Sequence, residues 1–435
     1  MNSQRLFFFF VFAAGMLPAS MTAQEVTPSA DSAYRREVAR LAEQPGVRRA
    51  FQVIEELEDS TVSQNIELSE IPAPPFREET RARRYADMLR QAGADTVWID
   101  TEGNAVGVRR GTKGDSTLVI SGHLDTVFPE GTDVSVTLRG DTLFGPGVGD
   151  DARGLMVTLT VLRAMERAGL RTRWDVWFVG TVGEEGLGDL RGVKHLFQEG
   201  APSIHAFLSV DGGGDRRVVH RALGSRRYRV TVRGPGGHSW GDFGDPNPAL
   251  ALARIMTRFD QAAGDFTSQG PRTSYSVGRL GGGTSVNSIP FEVWMEVDMR
   301  SIDHPRLLEI DSLFNAVVPA AVAEQNELRR SGEPLTVEVE LVGDRPSGVI
   351  ELSAPLIQRA LAVVEHFGWE PELGISSTDA NVPISLGVPA ATVGRGGVGE
   401  GTHSLDEWWL NQDGHLAIQR TLLLVLAQAG LAEGG

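Results

Sequence analysis

Five residues with metal-binding side chains occur in order along the chain, each where an apolar run breaks into a short polar turn. They are His123, Asp150, Glu185, Asp211 and His403. The chain contains no cysteine, so carboxylate and imidazole groups are the strong metal donors that it offers. Because paired metal ions polarise a carbonyl group and activate water, this series predicts a paired-metal hydrolase.

Two further acids stand next to these candidate ligands. Asp125 follows His123 by two residues, so we expect its carboxylate to accept a hydrogen bond from the imidazole nitrogen that does not bind metal. Glu184 precedes Glu185 in a Gly-Glu-Glu-Gly turn, where one carboxylate can coordinate while the other stays free. We expect Glu184 to be the general base, which takes a proton from water and later delivers it to the leaving amine.

Asp150 and Asp151 end a glycine-rich segment and precede a predicted helix over 154–169. An Asp at such a position commonly caps the helix. Two adjacent acids allow both roles at once, with one carboxylate bridging metal ions while the other caps.

The candidate ligands follow segments with the composition of buried strands. Nearly continuous apolar runs cover 117–120, 175–179, 206–210 and 390–393, as expected of parallel strands whose two faces are covered by helices. Ligands bind beyond the carboxyl ends of such strands, where the connecting loops converge. Acids clustered there repel one another, and one or two divalent cations would neutralise them.

The residue pattern changes near residue 224. Segments 227–233 and 291–300 alternate with a period of two, which predicts an antiparallel sheet, and helices over 248–263 and 304–329 would cover it. We therefore predict an α/β fold with a mixed, mostly parallel sheet flanked by helices, interrupted by a smaller α+β domain. The predicted catalytic domain comprises residues 24–223 and 343–435, and the inserted domain comprises residues 224–342.

The inserted domain contains His238, in a Gly-Gly-His-Ser segment. If this domain closes over the site, the imidazole can donate a hydrogen bond to a developing oxyanion. We therefore include His238 among the candidate catalytic residues.

Residues 1–23 form a segment of their own. Arg5 precedes a short apolar run, and small residues follow up to Ala23, which predicts a cleaved signal peptide; an uncleaved N-terminal anchor is the alternative. A formal charge of −16 argues against a nucleic-acid or anionic-membrane surface. We expect a secreted or periplasmic protein with no nucleic-acid partner and no membrane association after signal cleavage.

Six motifs occur in an order that resembles one protein family. They are Ser121-Gly-His-Leu-Asp-Thr-Val, Gly145-Pro-Gly-Val-Gly-Asp-Asp, Gly183-Glu-Glu-Gly, Ser209-Val-Asp-Gly, Gly236-Gly-His-Ser and Gly401-Thr-His-Ser-Leu-Asp-Glu. The family is that of the M20 metallopeptidases, which includes carboxypeptidase G, peptidase T, aminoacylase-1 and succinyl-diaminopimelate desuccinylase. The resemblance covers most of the chain after residue 23. It implies one zinc bound by His123 and Asp211, a second bound by Glu185 and His403, and Asp150 bridging both.

The same resemblance implies roles for residues outside the ligand series. His238 is similar to a histidine of the family's dimerisation domain that reaches the neighbouring subunit's active site, so a homodimer through the inserted domain is implied. Asn287 and Arg300 fall where the family places substrate-binding residues. The family often has a lysine shortly after the paired acids, whereas this chain has Arg153, so the role of that lysine is either missing here or passes to Arg153.

These observations lead to an expected function with alternatives. We expect an exported hydrolase with two zinc ions, or cobalt or manganese in their place, that cleaves an amide bond in a small peptide or N-acyl amino acid. Arg395 would either hold a substrate carboxylate or pair with an acid of the protein. A zinc aminopeptidase of related single-domain architecture and a non-catalytic, metal-stabilised periplasmic binding protein remain as alternative functions.

Overall fold

Four helices precede the first strand. A computed structural model describes residues 28–432, so the predicted signal segment lies outside the described residues. The chain from residue 31 to residue 70 forms three helices, and Pro45 begins the second, where its missing N–H is tolerated. No helix within 28–432 has the length and apolar composition of a membrane span. The four helices are α1 (Ser32–Ala42), α2 (Pro45–Glu56), α3 (Glu58–Ser69) and α4 (Glu79–Gln91).

Strands and helices then alternate up to residue 222. The three strands predicted in this region are present, and so is the helix predicted after Asp151, which begins at Ala152. A short 3-10 turn at Gly186–Gly188 follows the two adjacent glutamates. The elements are β1 (Thr96–Ile99), β2 (Ala105–Arg109), β3 (Thr117–His123), β4 (Thr137–Arg139), β5 (Thr142–Phe144), α5 (Ala152–Arg167), β6 (Asp175–Thr181), α6 (Arg191–Leu196), β7 (Ala206–Val210) and β8 (Arg217–Ala222).

A smaller sheet with two long helices is inserted after β8. Its elements are β9 (Gly224–Arg233), β10 (Gly237–His238), α7 (Pro248–Thr267), β11 (Thr273–Gly282), β12 (Ser288–Ile289), β13 (Glu292–Ser301), α8 (His304–Glu327) and β14 (Thr336–Arg345). The long strands form an antiparallel sheet in the order β11-β13-β9-β14. Phe259, Met295 and Phe314 belong to a hydrophobic core separate from that of the large domain. Pairing continues to Arg345 opposite Ser225, so the small sheet extends beyond the predicted boundary at residue 342.

The chain then returns to the large domain. Its remaining elements are β15 (Gly348–Val349), α9 (Pro355–His366), β16 (Glu372–Ser376), α10 (Asn381–Ser385), β17 (Ala390–Val393), β18 (Val398–Glu400), β19 (Trp408–Leu410) and α11 (Gly414–Ala429). The large sheet has the order β1-β2-β6-β3-β7-β17-β8-β15, with β16 beside β8. Strands β6, β3, β7 and β17 are parallel neighbours at its centre, and antiparallel pairs occur towards both edges. The mixed α/β fold is therefore as predicted.

Helices cover this parallel centre. Helix α5 is buried over most of its length, because it packs against β3 while α2, α3 and α11 pack against it. A separate small sheet in the order β18-β19-β5-β4 lies beside the large one. It joins the loop before α5 to the loop after His403, so two parts of the candidate site that are distant in sequence are held together.

Candidate metal centre and active site

The carboxyl ends of the central parallel strands meet at one edge of the large sheet. His123 is the last residue of β3, and Asp211 directly follows β7. Glu184 and Glu185 follow β6 after a tight turn at Gly183, whose φ of 70° favours glycine. The predicted cluster of polar residues at the strand ends is therefore present.

The described residues contain three groups that could hold a metal ion: two of them share Asp150 and together contain all five candidate ligands, and the third consists of His123, Glu184 and Glu185. Ligand atoms of His123, Asp150 and Asp211 lie within 4.8 Å of one another, and so do those of Asp150, Glu185 and His403. Oδ1 of Asp150 lies 3.1 Å from Nε2 of His123, and Oδ2 lies 3.2 Å from Nε2 of His403. With one oxygen facing each imidazole, the carboxylate of Asp150 could serve as a ligand in both groups.

The donor set of this cluster fits divalent metal ions. Each group combines imidazole nitrogen with carboxylate oxygen, which zinc, cobalt and manganese all accept. Four of the five candidate ligands are at least partly buried, and buried carboxylates need positive charge nearby. The residues present therefore fit a pair of divalent ions, with Asp150 shared between them.

The pKa values of the cluster reflect this need for positive charge. Burial raises the pKa of Asp211, and the charge of Asp150 raises it further. Burial also acts to raise the pKa of Asp150, but Arg395 and hydrogen bonds from two imidazoles hold it well below its usual range. Hydrogen bonds to Asp150 and Glu185 raise the pKa of His403 to about 10. Cationic groups thus stabilise the cluster, and bound metal ions would do the same.

Asp150 is positioned by the loop that leads into α5. The carboxylate of Glu407 accepts the backbone N–H groups of Gly147 at 2.7 Å and of Gly149 and Asp150 at 3.0 Å. Glu407 lies four residues after His403 in the same sequence motif, and its role was not predicted. It therefore fixes the bridging carboxylate relative to the loop that carries His403.

The beginning of α5 differs from expectation in two respects. Among the described residues, Asp151 forms no side-chain capping hydrogen bond; instead its Oδ2 accepts the backbone N–H of His123 at 3.0 Å. Arg153 does not take the place of the family's lysine near the acids, because it donates to the carbonyl oxygen of Gly414 at 2.7 Å and lies over the ring of Trp409. The arginine that lies beside the acids of the cluster is therefore not Arg153 but Arg395.

Asp125 holds the turn that carries both glutamates. The predicted bond between its carboxylate and the imidazole of His123 is wrong: Nδ1 lies 3.0 Å from the backbone carbonyl oxygen of Asp125 and 3.7 Å from the carboxylate. This carbonyl can fix the imidazole with Nε2 available to metal. The carboxylate instead accepts the N–H groups of Glu184 at 3.0 Å and Glu185 at 2.7 Å.

Glu184 is not as free as predicted. Its Oε1 lies 3.3 Å from Nη1 of Arg345, which also donates to Oγ of Ser377 at 3.2 Å. Burial raises the pKa of Glu184, and the charge of Arg345 opposes this rise. A raised pKa suits a group that accepts and releases a proton near neutral pH. Arg345 ends β14 of the small domain, and no sequence motif marked it as a site residue.

A cleft of about 670 Å³ lies between the two domains and includes Glu184, Asp150 and Asp211. Arg300 lines it, and its Nε donates to Asp298 at 2.6 Å; a role in binding substrate stays a prediction. His238 and Asn287 are not among its lining residues. They lie together around the short β10–β12 pairing, where the N–H of Ser239 donates to the carbonyl of Asn287 at 2.9 Å.

Arg395 also lies outside the lining of this cleft. Its Nη1 lies 3.1 Å from Oδ1 of Asp150 and 3.6 Å from Oδ1 of Asp211. The structure thus contradicts a role in holding a substrate carboxylate and supports the alternative, in which Arg395 pairs with acids of the protein. Burial makes such a pairing necessary, because the arginine is only 6% exposed.

Comparisons with known proteins identify relatives in sequence and in fold. Succinyl-diaminopimelate desuccinylase of Corynebacterium glutamicum is 23% identical over 335 residues, which cover 76% of this chain and 86% of the relative. A tripeptidase structure from Staphylococcus aureus shares the fold with a TM-score of 0.68 and 21% identity, over 85% of this chain and 99% of that one. The di-peptidase Dug1p from Saccharomyces cerevisiae has a TM-score of 0.70 and 15% identity, over 88% and 98% of the two chains.

A family model covers the whole candidate site. The model of peptidase family M20/M25/M40 matches residues 119–427, a range that contains all five candidate ligands and Glu184. This range exceeds half of the 435-residue chain. The chain therefore belongs to peptidase family M20/M25/M40 and is a hydrolase of the peptidase and amidohydrolase type.

Proposed function

We propose that this hydrolase uses two zinc ions to cleave an amide bond in small peptides or N-acyl amino acids. The observation that carries the proposal is the position of Asp150, with one carboxylate oxygen facing His123 and the other facing His403. Asp211 completes the first group of ligands and Glu185 the second. Zinc ions held there would supply Lewis-acid activation of the attacked carbonyl and of water; cobalt or manganese would suit the same donors.

Glu184 is the proposed general base of this reaction. It lies beside Glu185 on the turn held by Asp125 and faces the cleft. The carboxylate takes a proton from the attacking water as the new carbon–oxygen bond forms. It then delivers this proton to the nitrogen of the leaving amine as the tetrahedral intermediate collapses and the amide carbon–nitrogen bond breaks. Arg345 keeps Glu184 in position through its contact with Oε1.

The cleft and the relatives support the proposed substrate class. Arg300 lines the cleft on the small-domain side, where its guanidinium can bind a carboxylate of an amino acid or peptide. The names of the relatives describe removal of a succinyl group, action on tripeptides and action on dipeptides. These reactions share hydrolysis of an amide bond in a small molecule, and we assign the same type of bond to this chain.

His238 and Asn287 are proposed to act in the cleft of a second subunit. Both lie on the small domain away from the cleft of their own chain. In a homodimer joined through the small domains, the imidazole of His238 would donate to the oxyanion and Asn287 would contact the substrate. Exclusion of water by domain closure would strengthen both interactions.

Export to the periplasm or the medium is also proposed. The support is the sequence of residues 1–23, with Arg5 before an apolar run and small residues up to Ala23. Intact-mass measurement of protein recovered from outside the cytoplasm is expected to show a chain that begins after Ala23. A full-length chain retained with the membrane would instead support an uncleaved anchor.

A substrate panel with zinc-loaded protein tests the proposed reaction. The panel compares dipeptides and tripeptides with N-acetyl, N-succinyl and folyl-type amides, in wild type, Glu184→Gln and the exposed control Glu199→Gln. We expect turnover of at least one class, a loss of about 10²-fold or more in Glu184→Gln with its zinc content intact, and wild-type rates in the control.

Other outcomes of the panel separate the alternatives. A strict requirement for a free amino terminus favours the aminopeptidase function. Two bound metal ions without hydrolysis of any amide on the panel favour the non-catalytic binding protein. Full activity of Glu184→Gln contradicts the assignment of Glu184 as the base.

A further inference from the structure

Arg395 brings a permanent positive charge into the cluster of candidate metal ligands. Its Nη1 atom lies 3.1 Å from Oδ1 of Asp150, 3.6 Å from Oδ1 of Asp211 and 3.7 Å from Oδ1 of Asp151. A guanidinium group stays protonated throughout the pH range in which proteins are folded. These carboxylates are therefore neutralised in part before any metal ion binds.

The surrounding backbone fixes the arginine in this place. The N–H of Arg395 donates to the carbonyl oxygen of Gly212 at 2.9 Å. A side chain is not accommodated at Gly394, because a Cβ there would lie 2.1 Å from the carbonyl oxygen of Gly214. At Gly149, a Cβ would lie 3.3 Å from Nη2 of Arg395. The arginine is thus held among the acids by close backbone contacts.

The contacted carboxylates belong to one of the two candidate metal groups that share Asp150. His123, Asp150, Asp151 and Asp211 offer ligand atoms that all lie within 4.8 Å of one another, and Nη1 of Arg395 approaches the three acids of this set. A divalent ion in this group would interact with the same carboxylates as the guanidinium. The two cations would also repel each other at short range.

The framework of ligands does not depend on Arg395 alone. Glu407 holds the loop before α5 through three backbone N–H groups, including that of Asp150. Asp151 is tied to the backbone N–H of His123. Removal of the guanidinium should therefore remove charge from the cluster while these contacts keep the ligands in place.

We propose that Arg395 is an internal counter-ion of the metal site, which stabilises the metal-free cluster and lowers the affinity of the His123–Asp150–Asp211 group for a divalent ion. Arg395 acts through the charge of the ligands and not on the reacting atoms. The inference rests on the proposed metal site. By linkage, a cation that stabilises the metal-free state more than the loaded state weakens metal binding.

The test compares zinc binding in wild type, Arg395→Met and Arg395→Lys. Zinc dissociation constants are measured by competition with a chromogenic chelator, and the Tm of each full-length protein is measured with and without zinc. Arg109→Met is the matched control, because Arg109 is also a buried arginine paired with an acid, Glu166, on another part of the fold.

We expect Arg395→Met to bind zinc in the His123–Asp150–Asp211 group about tenfold more tightly than wild type does. Its metal-free Tm falls, and the increase in Tm caused by zinc becomes larger than in wild type. Arg395→Lys keeps the charge and should keep an affinity close to that of wild type. Arg109→Met should lower both Tm values equally and leave the zinc affinity unchanged.

The opposite sign overturns the proposal. If Arg395 only orients a ligand, its loss weakens metal binding, as is usual for partners of metal ligands; weaker or unchanged binding in Arg395→Met therefore rejects the counter-ion role. If that variant does not fold, Arg395→Gln replaces it with the same expected direction. A wild-type protein that binds no zinc rejects the proposed function itself, which is a different result from equal binding in wild type and variant.

Discussion

The carboxylate of Asp125 offers a quantitative test of how the candidate site is organised. It is fully buried and accepts two backbone N–H groups, those of Glu184 and Glu185. Hydrogen bonds to a charged group contribute about 1.5–3 kcal/mol each. Asp125→Ala removes both and leaves two buried donors without partners, while the burial cost of the carboxylate itself also disappears. We therefore expect a net loss of about 3 kcal/mol in the free energy of unfolding.

Thermal unfolding and steady-state kinetics measure this effect together. A loss of that size lowers Tm by roughly 6–12 °C for a domain of ordinary size, and Asp125→Asn, which keeps one acceptor oxygen, should lose about half as much. Both variants should also lose kcat and zinc content, because the same turn carries the proposed base and one ligand.

A buried acid at the opposite end of the sheet provides the control. Asp175 begins β6 and accepts the N–H of Gly111 at 2.7 Å. Asp175→Ala should lower Tm without changing kcat. If Asp125→Ala keeps wild-type kcat and zinc content while its Tm falls like that of Asp175→Ala, Asp125 has a structural role only and the reasoning is refuted.

Two further predictions concern pH and subunit cooperation. Burial raises the pKa of Asp379 to about 6 from its usual 3.8, so the folded state binds this proton more tightly than the unfolded state does. In metal-free protein, the free energy of unfolding is therefore highest below pH 3.8 and falls by roughly 3 kcal/mol as the pH rises through 6. The Tm of Asp379→Asn should therefore rise relative to wild type between pH 4 and pH 7, and parallel Tm profiles would contradict this. His238→Ala and Glu184→Gln should each be inactive alone but regain activity when refolded together, since one mixed site then has both residues; mixtures that stay inactive argue against His238 acting across subunits.

The central strands and the ligand series could be predicted from the sequence. Strands buried on both faces require apolar runs, so 117–120, 175–179, 206–210 and 390–393 revealed them directly. Parallel neighbours end at the same edge of a sheet, so the ligands that follow them were expected to meet there. The pattern of alternation likewise indicated the small antiparallel sheet and its two helices.

The partners of individual side chains could not be predicted in the same way. Arg345 reaches Glu184 from the end of a small-domain strand, a contact that depends on how two domains are joined. The backbone carbonyl of Asp125 contacts the imidazole nitrogen, while its carboxylate contacts the loop after β6; the sequence does not show which of the two groups faces the imidazole. The position of Arg395 among the acids depends on close packing of glycine-rich loops. The sequence therefore left two alternatives for Arg395, pairing with an acid of the protein or binding a substrate carboxylate.

Metal stoichiometry tests the central claim most directly. Elemental analysis of the purified wild-type protein, after zinc loading and removal of excess metal, is expected to give two zinc ions per chain. Asp150→Ala, which removes the shared ligand, should bind fewer than two, while Asp175→Ala should still bind two. A wild-type protein with no bound zinc, or an Asp150→Ala variant that retains both ions, would contradict the paired-metal site.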